Sequence, residues 1–250
     1  LGRKTSMSDP DKGNWSYVYN GFGELIEQTD AKGQKSELTY DVRGRLKTRV
    51  DKLTNGTPET NTTWTYDTAT YGRGQLDNVQ GNISGYIKVP EYDSLGRLSE
   101  TTTSLGAAGA LGDHYEKITY DQYGRTYQVF DAARASADYS TNGTQNHYNS
   151  HGYLYKVTSA EQLNGQPAST YHTISSMDAR GNITNELLGN GVTRSAYYEH
   201  NTGLLKNLQA NLGAATFQNL ALQWDQVGNL EQRKETGNSR NLTENFLYDN

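Results

Sequence analysis

Along much of this chain large side chains alternate with small polar ones at period two, the pattern of strands with one protected face. Trp15-Ser16-Tyr17-Val18-Tyr19 is the first clear example, and Thr62-Thr63-Trp64-Thr65-Tyr66 is another. Each run ends in a short polar turn and is answered by a returning run. Asn20–Gly23 leads to Glu24–Thr29, Asp30-Ala31-Lys32-Gly33 leads to Ser36–Tyr40, and the turn at Gly44 leads to Arg45–Asp51. Further strands are predicted at Tyr86–Tyr92, Tyr115–Tyr120, Arg125–Asp131 and Ala214–Trp224. Pro90 lacks an N–H, which implies an edge or a bulge in its strand. The glycines of Leu105–Gly112 argue for a loop. Ala132-Ala133-Arg134-Ala135-Ser136-Ala137 is the only window with helical propensity, and it is too short to stand alone. No segment sustains a 3.6-residue period, so the expectation is all-β.

The turns are copies of one another. Tyr92-Asp93-Ser94-Leu95-Gly96-Arg97-Leu98 is repeated almost letter for letter by Tyr40-Asp41-Val42-Arg43-Gly44-Arg45-Leu46. Tyr120-Asp121-Gln122-Tyr123-Gly124-Arg125 repeats it again, with Thr126 where the others have leucine. Looser copies run through Tyr19 and Gly23, Tyr148 and Gly152, Met177-Asp178 and Gly181, and Trp224-Asp225 and Gly228. Stretched copies lie at Tyr66…Gly74 and Tyr198…Gly203. The motif glycines recur every ~21 to 30 residues, a period that marks a repeat array.

The motif is turn chemistry. Asp or Asn at the first turn position accepts a hydrogen bond from a backbone N–H two residues on. Glycine three residues later takes the left-handed conformation that closes a type I turn with a bulge. The apolar residue two further on starts the returning strand. One isolated Asp-x-x-Gly is any surface turn, but about nine copies in one chain are an array of β-hairpins.

Tyr-Asp-x-x-Gly-Arg-Leu at this period resembles the YD repeat of the Rhs proteins, the teneurins and the B/C subunits of insecticidal toxin complexes. The resemblance covers essentially residues 1–250 and is most specific at Tyr40–Leu46 and Tyr92–Leu98. It implies a continuous sheet of antiparallel hairpins that forms part of a spiralling β-shell around a toxic C-terminal polypeptide. It also implies the partners: the remainder of a parent Rhs chain, the enclosed toxin and a delivery-machine component. Localisation would be secreted or cell-surface delivered, within a larger bacterial toxin. Leu1-Gly2-Arg3 resembles the tail of one motif and Tyr248-Asp249-Asn250 the start of another, so the chain reads as an interior slice cut inside a repeat at both ends. The Rhs segment that supports autoproteolysis has no match here, and protease activity is not implied.

Composition modifies this picture little. Hydrophobic residues make 33% of the 250, low for a packed globule, while the net charge is only -5 and there are 19 tyrosines. That combination suits a sheet held by aromatic and β-branched cross-strand pairs, with tyrosine hydroxyls staying near water. The acidic balance argues against a nucleic-acid interface, and no apolar stretch approaches the length of a membrane span. With no cysteine, disulfides and thiolate sites are excluded.

Candidate chemistry is sparse. His147 and His151 are the only close histidine pair, and they flank a turn rather than share a helix face. Asp9-Pro10-Asp11-Lys12-Gly13 lacks the distal glutamate of a calcium loop. The residues singled out are the repeat-turn set: Tyr40, Asp41, Gly44 and Arg45; Tyr92, Asp93, Gly96 and Arg97; Tyr120, Asp121, Gly124 and Arg125; Asp178 and Gly181; Asp225 and Gly228. Their aspartates read as turn caps, and their arginines as groups that stack on tyrosines or pair with the next copy's carboxylate. No catalytic, cofactor or metal site is expected. The function expected is a structural shell wall. A second reading is binding of carbohydrate or a cell-surface glycan by exposed Trp15, Trp64 and Trp224.

Overall fold

The computed structural model describes residues 2–82, 85–106, 112–133, 143–160 and 168–249. Among these residues every regular element is a strand, and the pairings are antiparallel. The chain divides into two compact units, 1–119 with 129–139 and 120–128 with 140–250.

The first unit is a meander. It runs through β1 (Ser6–Asp9), β2 (Gly13–Tyr19), β3 (Leu25–Thr29), β4 (Lys35–Tyr40), β5 (Leu46–Lys52) and β6 (Pro58–Tyr66). It continues through β7 (Leu76–Gly81), β8 (Tyr86–Tyr92), β9 (Leu98–Leu105) and β10 (Asp113–Tyr120), and each strand pairs with its sequence neighbours. Ala132 and Ala133 close β11 (Thr126–Ala133), so the window with helical propensity begins as strand. Its remaining residues lie outside the described ones, as do 107–111 of the expected loop.

The second unit repeats the plan. After β12 (Gly143–Tyr148) come β13 (Leu154–Ser159), β14 (Thr170–Met177), β15 (Ile183–Leu188) and β16 (Val192–Tyr198). The last four are β17 (Leu205–Leu212), β18 (Ala215–Trp224), β19 (Leu230–Gly237) and β20 (Arg240–Asn245), again paired neighbour to neighbour.

Two features of the hairpins go beyond the sequence pattern. Each motif turn whose strand register is described is followed by a register shift. Thr39 faces Thr48 but Tyr40 faces Leu46, which leaves Lys47 as an extra residue on the returning strand. The same one-residue slip precedes Tyr19↔Leu25, Tyr92↔Leu98, Tyr148↔Leu154 and Trp224↔Leu230. A bulge repeated at this place twists every hairpin in the same sense and holds the aromatic opposite the motif's apolar residue. The second feature is Pro90. Its strand is not an edge: β8 pairs β9 through Pro90↔Thr101, and β7 only at Val79↔Lys88 and Gln80↔Ile87. Pro90 therefore sits where the ladder to β7 has stopped, and its missing N–H leaves no gap.

Among the described residues there is almost no core. The apolar residues buried are Val79, Phe130, Ala133 and Ala160. Buried polar groups sit within the sheet beside them, among them Ser36, Thr101, Gln145, Thr158 and Glu186. Alternation such as that of Gly13–Tyr19, where Trp15, Tyr17 and Tyr19 are more protected than Asn14, Ser16 and Val18, gives each strand one sheltered face. Stability must therefore come from ladder hydrogen bonds and from side chains that reach along the sheet.

Candidate functional site

Those side chains converge on the motif turns. At the turn after β4, Gly44 N–H donates to the Asp41 carbonyl (3.0 Å), and Asp41 N–H donates to the Arg45 carbonyl (2.9 Å). The Asp41 carboxylate fills the inside of the turn: Oδ1 accepts from the N–H of Arg43 at 2.8 Å and of Arg45 at 2.9 Å. Oδ2 accepts from the Arg45 side-chain Nε at 2.7 Å. This geometry places glycine at φ +76 for Gly44 and +75 for Gly96, where a Cβ is strained.

The turns at Asp93 and Asp121 are superimposable in chemistry. Asp93 Oδ1 accepts from Leu95 and Arg97 N–H, and Asp121 Oδ1 from Tyr123 and Arg125 N–H. In both, the arginine Nε donates to Oδ2, at 2.8 Å for Arg97 and 2.7 Å for Arg125. At Asp178 and Asp225 the same Oδ1 bonds form, but the side chain reaching Oδ2 is an asparagine amide, Asn182 or Asn229, at 2.9 Å each. Gly181 (φ +83) and Gly228 (φ +92) close these turns. At Asn20 the polarity is inverted: its Nδ2 donates to the Glu24 carboxylate at 2.6 Å. The residue after the glycine thus decides whether the first turn residue is acid or amide.

Hydrogen bonding to the charged form lowers the pKa of each carboxyl. The Arg45 N–H holds Asp41 below the usual carboxylate range, and the Arg97 side chain does the same for Asp93. At Asp121 and Asp225 burial pushes upward, yet bonds from Arg125 and from Asn229 respectively outweigh it. Asp178 is lowered chiefly by the Asn182 amide.

The arginine also reaches forward. Arg45 Nη2 donates to Asp67 Oδ2 at 2.6 Å, and its guanidinium lies 4.2 Å from the centre of the Tyr66 ring. Asp67 is the cap of the stretched copy; it keeps its role across the insertion by accepting from Gly74 N–H at 2.6 Å. Arg45 lowers the Asp67 pKa to about 2. Arg125 lies 4.1 Å from the Tyr148 ring centre, and Arg3 lies 5.8 Å from that of Tyr19. Sequence reasoning foresaw the tyrosine and next-copy partners but missed the arginine's bond to its own turn aspartate. The signal was present as Asp and Arg four apart across a tight turn.

The aromatic hydroxyls are not left to water. Tyr40 Oη donates to the Leu25 carbonyl (2.8 Å), Tyr66 to Leu46 (2.9 Å), Tyr92 to Leu76 (2.8 Å) and Tyr148 to Thr126 (2.8 Å). Trp224 does the same with its indole N–H to Leu205 (2.8 Å), and Tyr248 to Leu230 (3.1 Å). In each case the acceptor is the residue two after the glycine of the preceding copy. Burial raises the pKa of Tyr40, Tyr66 and Tyr92. The result is a clamp between successive repeats: ring against turn, hydroxyl to carbonyl, guanidinium over ring.

The other candidates are placed as follows. His147 contacts Thr158 Oγ1 at 3.0 Å in β12, whereas His151 lies on an exposed turn with its N–H bound by Asn149. Asp9 Oδ1 caps its own hairpin, accepting from Asp11 and Lys12 N–H. Among the described residues no group of three His, Asp or Glu side chains is placed to hold a metal, and no helix is long and apolar enough to cross a membrane. Trp15 stacks with Tyr17, centres 6.5 Å apart, beside a cleft of about 270 Å³ that Gln28, Arg49 and Asp51 also line.

The RHS Repeat family model matches residues 19–57, which contain the complete turn at Asp41. No curated protein matches the sequence. The fold is similar to that of the TcdB2-TccC3 crystal structure, with TM-score 0.71 and 16% identity over 96% of this chain and 12% of that one. The TcdB2-TccC3-TEV crystal structure gives TM-score 0.70 and 17% identity over 93% and 12%. The Tc holotoxin pore of Photorhabdus luminescens gives 0.71 and 16% over 96% and 12%. The chain therefore spans about an eighth of the length of those proteins, and at this identity the likeness is one of fold. An RHS Repeat thus occupies residues 19–57, and the capped turn it contains recurs at Asp93, Asp121, Asp178 and Asp225 in the same antiparallel hairpin form.

Proposed function

We propose that the chain is a wall segment of a larger RHS-type shell, which encloses a toxic polypeptide until delivery and acts by physical exclusion rather than catalysis. The observation that carries this reading is a sheet tied repeat to repeat by the aromatic hydroxyls while burying almost no apolar side chain. A globule needs a thick core; a wall needs lateral ties and two faces that tolerate water. The array is read as continuous over residues 1–250, with the rest of a parent chain and its cargo as partners and secretion as the route. The similarity in fold to components of a Tc holotoxin supports it. Limited proteolysis of the parent chain tests it. The cargo should resist trypsin while the repeats are folded and be digested once denaturant opens them; digestion at the rate of the free polypeptide would refute enclosure.

The second reading, binding of a cell-surface glycan, has one observation in its favour: the Trp15 cleft joins an aromatic platform to planar polar side chains. A glycan array on the chain and on Trp15→Ala tests it, and absence of any Trp15-dependent signal removes it.

A further inference from the structure

We propose that the cleft beside Met177 is a binding site for a phenolic ring, supplied by a tyrosine of a polypeptide or by a free phenol. The repeat itself points to this site, independently of the wall reading. At the motif aromatic position, the Tyr66 ring lies 4.2 Å from Arg45 and its hydroxyl 2.9 Å from the Leu46 carbonyl. Tyr148 occupies a later instance, 4.1 Å from Arg125 and 2.8 Å from the Thr126 carbonyl. In the copy that follows, methionine stands in this place.

Of the five surrounding motif positions, three keep their residue type and two change. Asn149 takes the position of Asp41, Tyr153 of Arg45, Leu154 of Leu46, Asp178 of Asp67 and Gly181 of Gly74. These five residues and Met177 all line one cleft of about 280 Å³. Methionine carries no O–H, so the motif position supplies no donor to the Leu154 carbonyl that corresponds to the acceptors of Tyr66 and Tyr148. An incoming phenol provides both missing parts: a ring to pack against Tyr153 and the polarizable Met177 thioether, and a hydroxyl for the carbonyl. Methionine also adapts its shape to a guest more readily than a branched side chain does.

The chain has two methionines, which makes the test direct. With ¹³C-methyl methionine, Met177 reports the cleft and Met7, in β1, is the internal reference. Titration with p-cresol or N-acetyl-tyrosinamide to about 10 mM should move the Met177 methyl upfield and to saturation, leaving Met7 in place. Toluene and N-acetyl-phenylalaninamide, which lack the hydroxyl, should bind about tenfold more weakly. Tighter binding of the tyrosine derivative assigns the site to a polypeptide side chain, and tighter binding of p-cresol to a free phenol. An unmoved Met177 methyl, equal movement of Met7, or equal affinity for the hydroxyl-free rings would overturn the proposal. Calorimetry on Met177→Tyr provides a second readout: the internal ring should raise Tm and abolish p-cresol binding, and binding unchanged in a folded variant refutes the site.

Discussion

The turns capped by Asp41 and Asp121 end in arginine, and those capped by Asp178 and Asp225 end in asparagine; the two kinds close identically but differ in reach. In all four, Oδ1 takes two backbone N–H groups and Oδ2 takes one side chain. An asparagine amide ends there. A guanidinium has further donors and a flat face, so Arg45 continues to Asp67 and the Tyr66 ring, and Arg125 to the Tyr148 ring. Turn closure and repeat coupling are therefore separable: the Asp and Gly do the first, and the residue after the glycine adds the second.

The distinction breaks most directly at Arg45. Arg45→Ala removes the bonds to Asp41 and Asp67 and the cover over Tyr66, and should lower Tm more than any other single truncation of a motif-turn side chain. Equal Tm values for Arg45→Ala and Asn229→Ala would show that forward reach adds nothing. Acid should erase the same contribution without mutation. Asp67 is held at about 2 by the Arg45 side chain, below its unfolded value, so its contribution is complete above pH ~4 and is lost as pH falls toward 2. The Tm difference between wild type and Arg45→Ala should therefore shrink across that window. A constant difference down to pH 2 would place the effect in ring packing alone.

Glycine substitution probes closure, which both kinds of turn share. Gly96→Ala should cost on the order of 1 kcal/mol or more, since φ is +75 and the new Cβ would lie 3.3 Å from the Tyr71 carbonyl oxygen. Gly228→Ala, at φ +92 with open space around it, should cost a smaller amount by denaturant titration. A larger cost at Gly228 would contradict the steric account. Tyr66→Phe isolates the hydroxyl of the clamp and should cost about 1 kcal/mol. No change in unfolding midpoint would mean that the Leu46 carbonyl is equally content with water. The smallest effect is expected for Asn229→Ala, within about 0.5 kcal/mol, because only one local amide bond is lost.

Residue identity alone determined where the chain turns. Asp followed three residues later by Gly fixes a local structure whose partners all lie within four residues, so Asp41, Asp93, Asp178 and Asp225 were legible as turn positions without any neighbour. Period-two aromatics such as those of Trp15–Tyr19 likewise announced strands. What only the tertiary structure decided depends on partners about a repeat away. The destination of the Tyr40, Tyr66 and Tyr148 hydroxyls, expected at water, is a carbonyl 15 to 22 residues earlier. The extra residue at Lys47 depends on how two strands fall into register, and no residue type in the motif encodes it. The stretched copy at Asp67 shows the division best. Its insertion obscured the motif in sequence, yet Gly74 N–H returns to the same carboxylate oxygen and Arg45 meets the other. Local hydrogen bonds can be read from spacing because the backbone sets their length. Clamps between repeats cannot, because the sheet alone brings their two halves together.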